Sequence, residues 1–406
     1  MEVTLKKRWL SPALVAAWMF CAGMHSSALA GPGSFSPPAE QADLFPHKAD
    51  IRFARCFTIE YHRNYKRLEV LTPWRDAQNN FVFILVARGH VPPPDLPPGA
   101  IVIPIPVERM AVFSITWTAF FPMLHIEDNL VGIAGCEWVS TPEIVSLIRR
   151  GSVKEIGDGG RGMNRQINME RLTLLRPEAV MVYGTGIPEF DQHSKLLDAG
   201  FKPVVNASHM EETPLGRTEW IKFIAAFFNR EEEAESAFDE IVLRYEALAG
   251  KTRALSRRPT VFCHTAWRGT WYMPGGASYV AKFLEDAGAD YLWKEDRTRG
   301  NIPLAIETVV DRARNADFWL DTGICGSLSE VRGIDDRCGL FASFRAGNVF
   351  NNDAKITPEG GNDFWETGIA RPDLVLADLI SVFHPDLLPA HRRIWYRQLP
   401  PATEGM

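Results

Sequence analysis

The chain is poor in the patterns that announce common chemistries. Its 406 residues include only six cysteines, and no two stand as C-x-x-C, so neither a thiolate zinc site nor a dithiol redox centre is supported. Ten histidines are scattered without H-x-x-x-H spacing, which argues against capture of a bare metal ion. No G-x-S-x-G, H-E-x-x-H or G-x-x-x-x-G-K-[ST] occurs, leaving no nucleophile elbow, metalloprotease helix or phosphate loop. Concentrated positive charge is missing too. The net charge is −6 and the basic residues are dispersed, so nucleic acid finds no electrostatic footprint. Beyond residue 30 no apolar run is long enough to span a bilayer.

What is present is an ordinary globular balance, 46% hydrophobic and 23% charged, with twelve tryptophans that can serve a ligand as well as a core. The length allows two or three domains. Lys6, Lys7 and Arg8 precede an apolar stretch, and Ala28-Leu29-Ala30 supplies an A-x-A cleavage site, so residues 1–30 read as a signal peptide. Pro12 and the short run weigh against a signal-anchor, and the residues before Cys21 are too large for lipoprotein processing. Five cysteines remain after that cut. Cys325 and Cys338 flank one loop-like segment and are expected to pair in an oxidising compartment, whereas Cys56, Cys136 and Cys263 read as single buried thiols.

Composition divides the rest. Residues 31–49, rich in Pro, Ser and Ala, are expected to form a flexible leader. Residues 50–107 carry β-branched and aromatic runs between Asn, Gly and Pro breakers, and predict a small antiparallel β-meander, a β-rich extension. Short apolar strands then alternate with helices over 108–216, among them "TPEIVSLIRRG" with Thr141 as cap and Pro142 at the first helical position. The alternation returns over 256–398. Between them, 217–255 has no proline and keeps Trp220, Phe223, Ile224, Phe227 and Phe228 on one face, predicting an unbroken linking helix of about 35 residues and about 50 Å. Two helices with a kink near Asn229 are the alternative. The fold class is therefore α/β, two Rossmann-like lobes with parallel central sheets joined by one long backbone helix.

One phrase occurs twice. "ERLTLLRPEAVMVYGTG" (170–186) lies over "ETVVDRARNADFWLDTG" (307–323) without a gap, an exposed Glu at a helix start leading to a strand that closes on Thr-Gly. Each lobe thus carries an equivalent unit, with Glu170 and Glu307 at equivalent places. Ligands bind such lobes beyond the carboxyl ends of the strands. Candidates in the first lobe are Trp117, Trp138, Arg161 and Tyr183. In the second they are Trp267, Arg268, Trp271 and Tyr272 of "HTAWRGTWYMPGG", with Arg345 and Trp365 before the last helix. Arginine beside aromatic faces suits an anionic, ring-rich ligand. The Gly-rich "GDGGRGMN" (157–164) reads as a cleft loop.

Over roughly 105–390 the sequence resembles the helical-backbone class of periplasmic substrate-binding proteins of ABC importers, those for iron–siderophores, haem and cobalamin. The likeness rests on "VGIAG" (131–135), the two Glu phrases, the linking helix, "GGASYVAKFLEDAGADYLW" (275–293) and "RPDLVLADLISVFHPDLL" (371–388), in that order and spacing. It implies a periplasmic monomer that captures a small-molecule metal chelate, an iron–siderophore first and cobalamin next, without a cofactor of its own and without enzymatic activity. It also implies that Glu170 and Glu307 dock on arginines of the two copies of the inner-membrane permease, where bidentate Arg–carboxylate pairs would fix orientation. The rival readings are a secreted α/β enzyme and a ligand sensor that signals without transport.

Overall fold

The computed structural model describes residues 43–158 and 165–401. The expected signal peptide, Cys21, the expected leader as far as residue 42, Arg161 and most of the Gly-rich segment lie outside these residues.

Both α/β lobes are present, each on a five-stranded sheet. In the first, the spatial order is Pro203–Val205, Ala179–Val182, Met110–Val112, Leu130–Ile133, Lys154–Glu155, with every pair parallel. In chain order this is 5-4-1-2-3, the doubly wound arrangement whose direction reverses beside Met110–Val112. The second lobe places Asp290–Tyr291, Thr260–Cys263, Phe318–Leu320, Val349–Asn351 and Arg397–Gln398 side by side, the last antiparallel. Its chain order is 2-1-3-4-5, with the reversal between Thr260–Cys263 and Phe318–Leu320. The strands are buried almost throughout, as sheets covered on both faces require.

The β-rich extension forms a sheet of β1 (Phe57–Tyr61), β2 (Tyr65–Val70), β3 (Phe81–Ala87) and β4 (Ile101–Ile105). The expected antiparallel meander is wrong at its last step, because β3 and β4 pair in parallel. The Pro-rich residues 88–100 between them form a crossover, too long for a hairpin turn and long enough to return the chain in the same direction. The leader is also shorter than expected. Leu44 donates to the Arg63 carbonyl at 2.9 Å, and Phe45 is buried with the Lys66 ammonium 4.7 Å from its ring.

The linking helix departs furthest from expectation. Residues 217–255 are not one rod. A short helix, Trp220–Ala226, is followed by a turn in which Asn229 has φ 55°, and only Glu231–Arg253, 23 residues and about 34 Å, forms the linking helix. The short helix folds back along the long one. Lys222 Nζ reaches Glu235 at 2.9 Å and lies 4.7 Å from the Phe238 ring, a closeness impossible in a continuous helix. The cause is Lys66 on β2. Its buried ammonium donates to the Ala226 carbonyl and the Asn229 side chain, both at 2.8 Å, and to the Glu231 carboxylate, so the extension supplies the turn with its acceptors' partner. Nearby, the Glu219 carboxylate accepts the backbone N–H groups of Arg52, Phe53 and Ala54, and Glu211 those of Arg55 and Cys56. Phe57 and Phe83 of the extension pack on Trp220, Phe223 and Phe227.

The pairing expected between Cys325 and Cys338 is not formed, and all five described cysteines are free thiols. Burial pushes Cys338 up to about 12 and Cys325 up as well.

The lobes are locked to each other by Glu366. This second-lobe carboxylate is fully buried and accepts from Thr118 Oγ1 (2.6 Å), Thr141 Oγ1 (2.5 Å) and the N–H groups of Ser140 (2.6 Å) and Thr141 (3.1 Å), all in the first lobe. Thr141 therefore precedes its helix without capping it by its side chain, which is spent on Glu366.

Candidate functional site

Each sheet ends, at its point of reversal, on a cavity. In the first lobe, strands ending at Val112 and Val182 run on into Ser114, Thr116, Trp117 and Tyr183, Gly184, Thr185. These line a space of about 430 Å³ with Ser208, His209, Met210 and Arg217. Two more of its residues come from the loop between β2 and β3, Trp74 and Arg75. In the second lobe, strands ending at Cys263 and Leu320 run into His264 and Asp321, and the space is larger, about 810 Å³. Trp267, Arg268, Tyr272, Glu330 and Trp365 stand around it. Beside the first cavity, the Arg217 guanidinium lies 4.7 Å from the Tyr279 ring.

The repeated phrase is superimposable in its hydrogen bonds. Thr185 gives both its N–H (2.6 Å) and its hydroxyl (2.8 Å) to Asp191 Oδ1, and Thr322 gives the same two groups to Asn351 Oδ1 (2.6 and 2.9 Å). The glycines that follow, Gly186 and Gly323, have φ 76° and 77°, a left-handed turn that favours glycine. Two positions earlier the copies differ, Gly184 in one and Asp321 in the other.

Electrostatically the two cavities are opposite. Burial, and then the Arg217 charge, push His209 down to about 4, so it is neutral at pH 7 and the first cavity's cations are Arg75 and Arg217. In the second, burial pushes Asp321 up to about 7, against a 3.3 Å hydrogen bond from the Tyr396 hydroxyl, while nearby Asp353 pushes it further up. Asp321 Oδ1 is closed off from solvent without a hydrogen-bond partner, and the residue holds φ 57°. His264, on the adjacent strand end, has φ 66° and donates from Nδ1 to the Tyr272 carbonyl (2.7 Å). Non-glycine residues in this conformation cost of order 1–3 kcal/mol and cluster at functional sites.

Of the residues the sequence nominated, Trp117 and Tyr183 line the first cavity and Trp267, Arg268, Tyr272 and Trp365 the second. Trp117 is buried with its indole N–H 3.4 Å from Ser208 Oγ, whereas Trp267 is 62% exposed under the Arg268 guanidinium, 4.6 Å away. Three nominations are corrected. Trp271 belongs to the core: it is 0% exposed, donates to the Cys263 carbonyl at 2.9 Å and packs on Phe262, Trp319 and Phe341. The segment is a hairpin, Ala266–Trp267 against Thr270–Pro274, so side chains alternate and Trp271 faces inward while Tyr272 faces out. Trp138 lies between the lobes, its backbone against Gly361 and its ring 4.4 Å from the Arg165 guanidinium. Arg345 is exposed and donates to the carbonyls of Gly339 and Leu340, away from either cavity.

Sequence reading missed Trp74, Arg75, Arg217, Tyr279 and Asp321. For Asp321 the signal was available, since it interrupts the aligned repeat opposite Gly184. Glu170 and Glu307 are both exposed in the first turns of their helices. They are not equivalent, because Glu307 is ion-paired with Arg337 and Glu170 has no partner among the described residues.

The periplasmic binding protein family profile matches residues 112–332. An uncharacterized lipoprotein of Methanocaldococcus jannaschii is 26% identical over 297 residues, covering 70% of this chain and 67% of the relative. A second uncharacterized lipoprotein of that organism is 26% identical over 353 residues, 83% of each chain. Among solved structures, a possible iron-binding (periplasmic solute-binding) protein from Staphylococcus epidermidis is similar with a TM-score of 0.53 and 16% identity, over 68% of this chain and 98% of that one. A periplasmic heme binding protein from Pseudomonas aeruginosa gives 0.51 and 17%, over 71% and 95%. At such identities the structural likeness concerns the fold.

Proposed function

Because this chain belongs to the periplasmic binding protein family and so has a solute-binding role, we propose that its solute is a metal chelate, a ferric siderophore first and a cobalamin next. The chelate is held between the lobes and passed to an ABC permease. The observation that carries this reading is the pair of cavities at the strand ends, one in each lobe, each lined by aromatic and charged side chains. Indole and phenol faces suit a ring-rich chelate, and the charged groups among them orient it. The Glu366 lock keeps the halves in register, so the cleft is largely pre-formed and little ordering is required on binding. Residues 1–30 act as the export signal and the mature chain works outside the cytoplasm, in keeping with relatives named as lipoproteins. Glu170 and Glu307 are the permease contacts. For Glu307 the permease arginine takes the place of Arg337.

Tryptophan fluorescence titrated with ferric siderophores, cobalamin and haem tests the binding step, and saturable quenching by one of them is expected. A flat response to the whole panel would remove the proposal. Reversing both Glu170 and Glu307 to Arg is expected to abolish uptake and leave the Kd unchanged, and uptake that survives would remove the docking assignment.

A further inference from the structure

The loop between β2 and β3, residues 71–80, lies before the first residue matched by the family profile, yet it enters the first cavity. Trp74 is seated there with unusual closeness. A Cβ on Gly184 would lie 2.5 Å from its ring and one on Gly186 2.6 Å, separations that side chains do not tolerate. The seat is not a demand of the turn. Gly323, which makes the same turn in the second lobe, has nothing within 4 Å of where its Cβ would be. Trp74 is held from behind by His193 (5.6 Å, interplanar 24°) and by Phe81 at the start of β3 (5.8 Å).

The next residue crosses the cleft. Arg75 Nη2 lies 2.1 Å from the position a Cβ on Gly300 would take, in the second lobe. Arg75 and Arg217 line the same cavity together with the hydroxyl-bearing Ser114, Thr116 and Ser208. Neither arginine pairs with a carboxylate among the described residues, and Arg217 Nε is closed off without an acceptor. Two guanidinium groups in one cavity repel each other unless an anion lies between them, and a planar donor fork matches the paired oxygens of a carboxylate or catecholate. We propose that the 71–80 loop is a third wall of the ligand site: Trp74 narrows the first-lobe half to less than the second, and Arg75 acts with Arg217 to hold an anionic oxygen group of the chelate.

This rests on the chelate-binding reading, and the test separates the two. Full-length mature protein is titrated with ferric tricatecholate and ferric citrate as anionic probes, a neutral ferric trihydroxamate, and a cationic ferric trihydroxamate. An anionic probe is expected to bind, and Arg75→Ala to weaken it about 10-fold or more, as loss of a charge-assisted hydrogen bond does. Arg75→Lys recovers part of the loss, and any neutral probe that binds changes less than about 2-fold. Gly300→Ala, which displaces the guanidinium without altering Arg75, is expected to reproduce the selective loss. Arg75 is exposed, so an unchanged unfolding midpoint should accompany each effect. Equal anionic affinity in wild type and Arg75→Ala, or binding of the cationic probe alone, overturns the assignment and leaves chelate binding standing. Failure of every ferric probe overturns this assignment, and a flat response to cobalamin and haem as well overturns chelate binding.

Discussion

The two copies of the repeated unit make the same turn with the same hydrogen bonds, but the residue just before that turn differs in a way that shapes the cleft. Where the first has Gly184, the second has Asp321. Glycine lets Trp74 of the extension close over the strand end and leaves a cavity of about 430 Å³ faced by two arginines. Aspartate leaves the strand end open, about 810 Å³, and places there a carboxylate whose Oδ1 has no hydrogen-bond partner. A duplicated scaffold has thus become a cleft with unlike ends, which can orient an asymmetric ligand in a way that two equal ends cannot.

That contrast holds only while the halves stay in register, so the most damaging change should be Glu366→Ala. It strands the Thr141 hydroxyl and two backbone N–H groups in the interface, and at about 1–3 kcal/mol for an unsatisfied buried donor the loss should reach at least about 3 kcal/mol in urea unfolding. Glu366→Gln should lose less. Wild-type stability in the alanine variant would mean the lobes are held by something else. Gly184→Asp makes the first copy imitate the second. Its Cβ meets the Trp74 ring, so about 1–3 kcal/mol of overpacking and an altered tryptophan emission are expected, and neither would appear if Trp74 were loosely placed.

The smallest effect concerns the other copy. The Asp321 carboxyl is raised to about 7 from an ordinary 3.8, so the folded state holds its proton more tightly than the unfolded state does. The resulting stability is fully present below about pH 4 and lost as pH rises through 7. Asp321→Asn should therefore gain on wild type from pH 4 to pH 8, by on the order of 1–2 kcal/mol once solvent screening at this half-buried site is allowed for. A pH-independent difference between the two unfolding midpoints would show that the carboxyl titrates normally.

Patterns local in sequence were legible. The β/α alternation and the repeated phrase with its two glutamates follow from periodicity and turn residues, which act over a few positions. What failed did so where a distant group intervened. Residues 217–255 carry a convincing helical face, but Lys66, far upstream, gives the turn at Ala226–Glu231 its hydrogen bonds and lets the chain fold back. Trp271 was misplaced because "WRGTWY" reads as a loop in composition yet pairs as strands, and alternation turned it inward. Cys325 and Cys338 are close in sequence, but both stand as buried free thiols.

The amino-acid order was enough to dictate two α/β lobes, their pairing by duplication and the acidic heads of the matching helices, because hydrophobic period and helix chemistry are written over spans of ten or twenty residues. Which side chains meet in the cleft, and with what charge, came from packing: Trp74 and Arg75 enter from a sheet outside both lobes. The strand ends on which Asp321 and His264 sit take their place from sheet order, and sheet order depends on pairings such as Val261 with Phe318 and Phe350 with Gln398, beyond the reach of any local pattern.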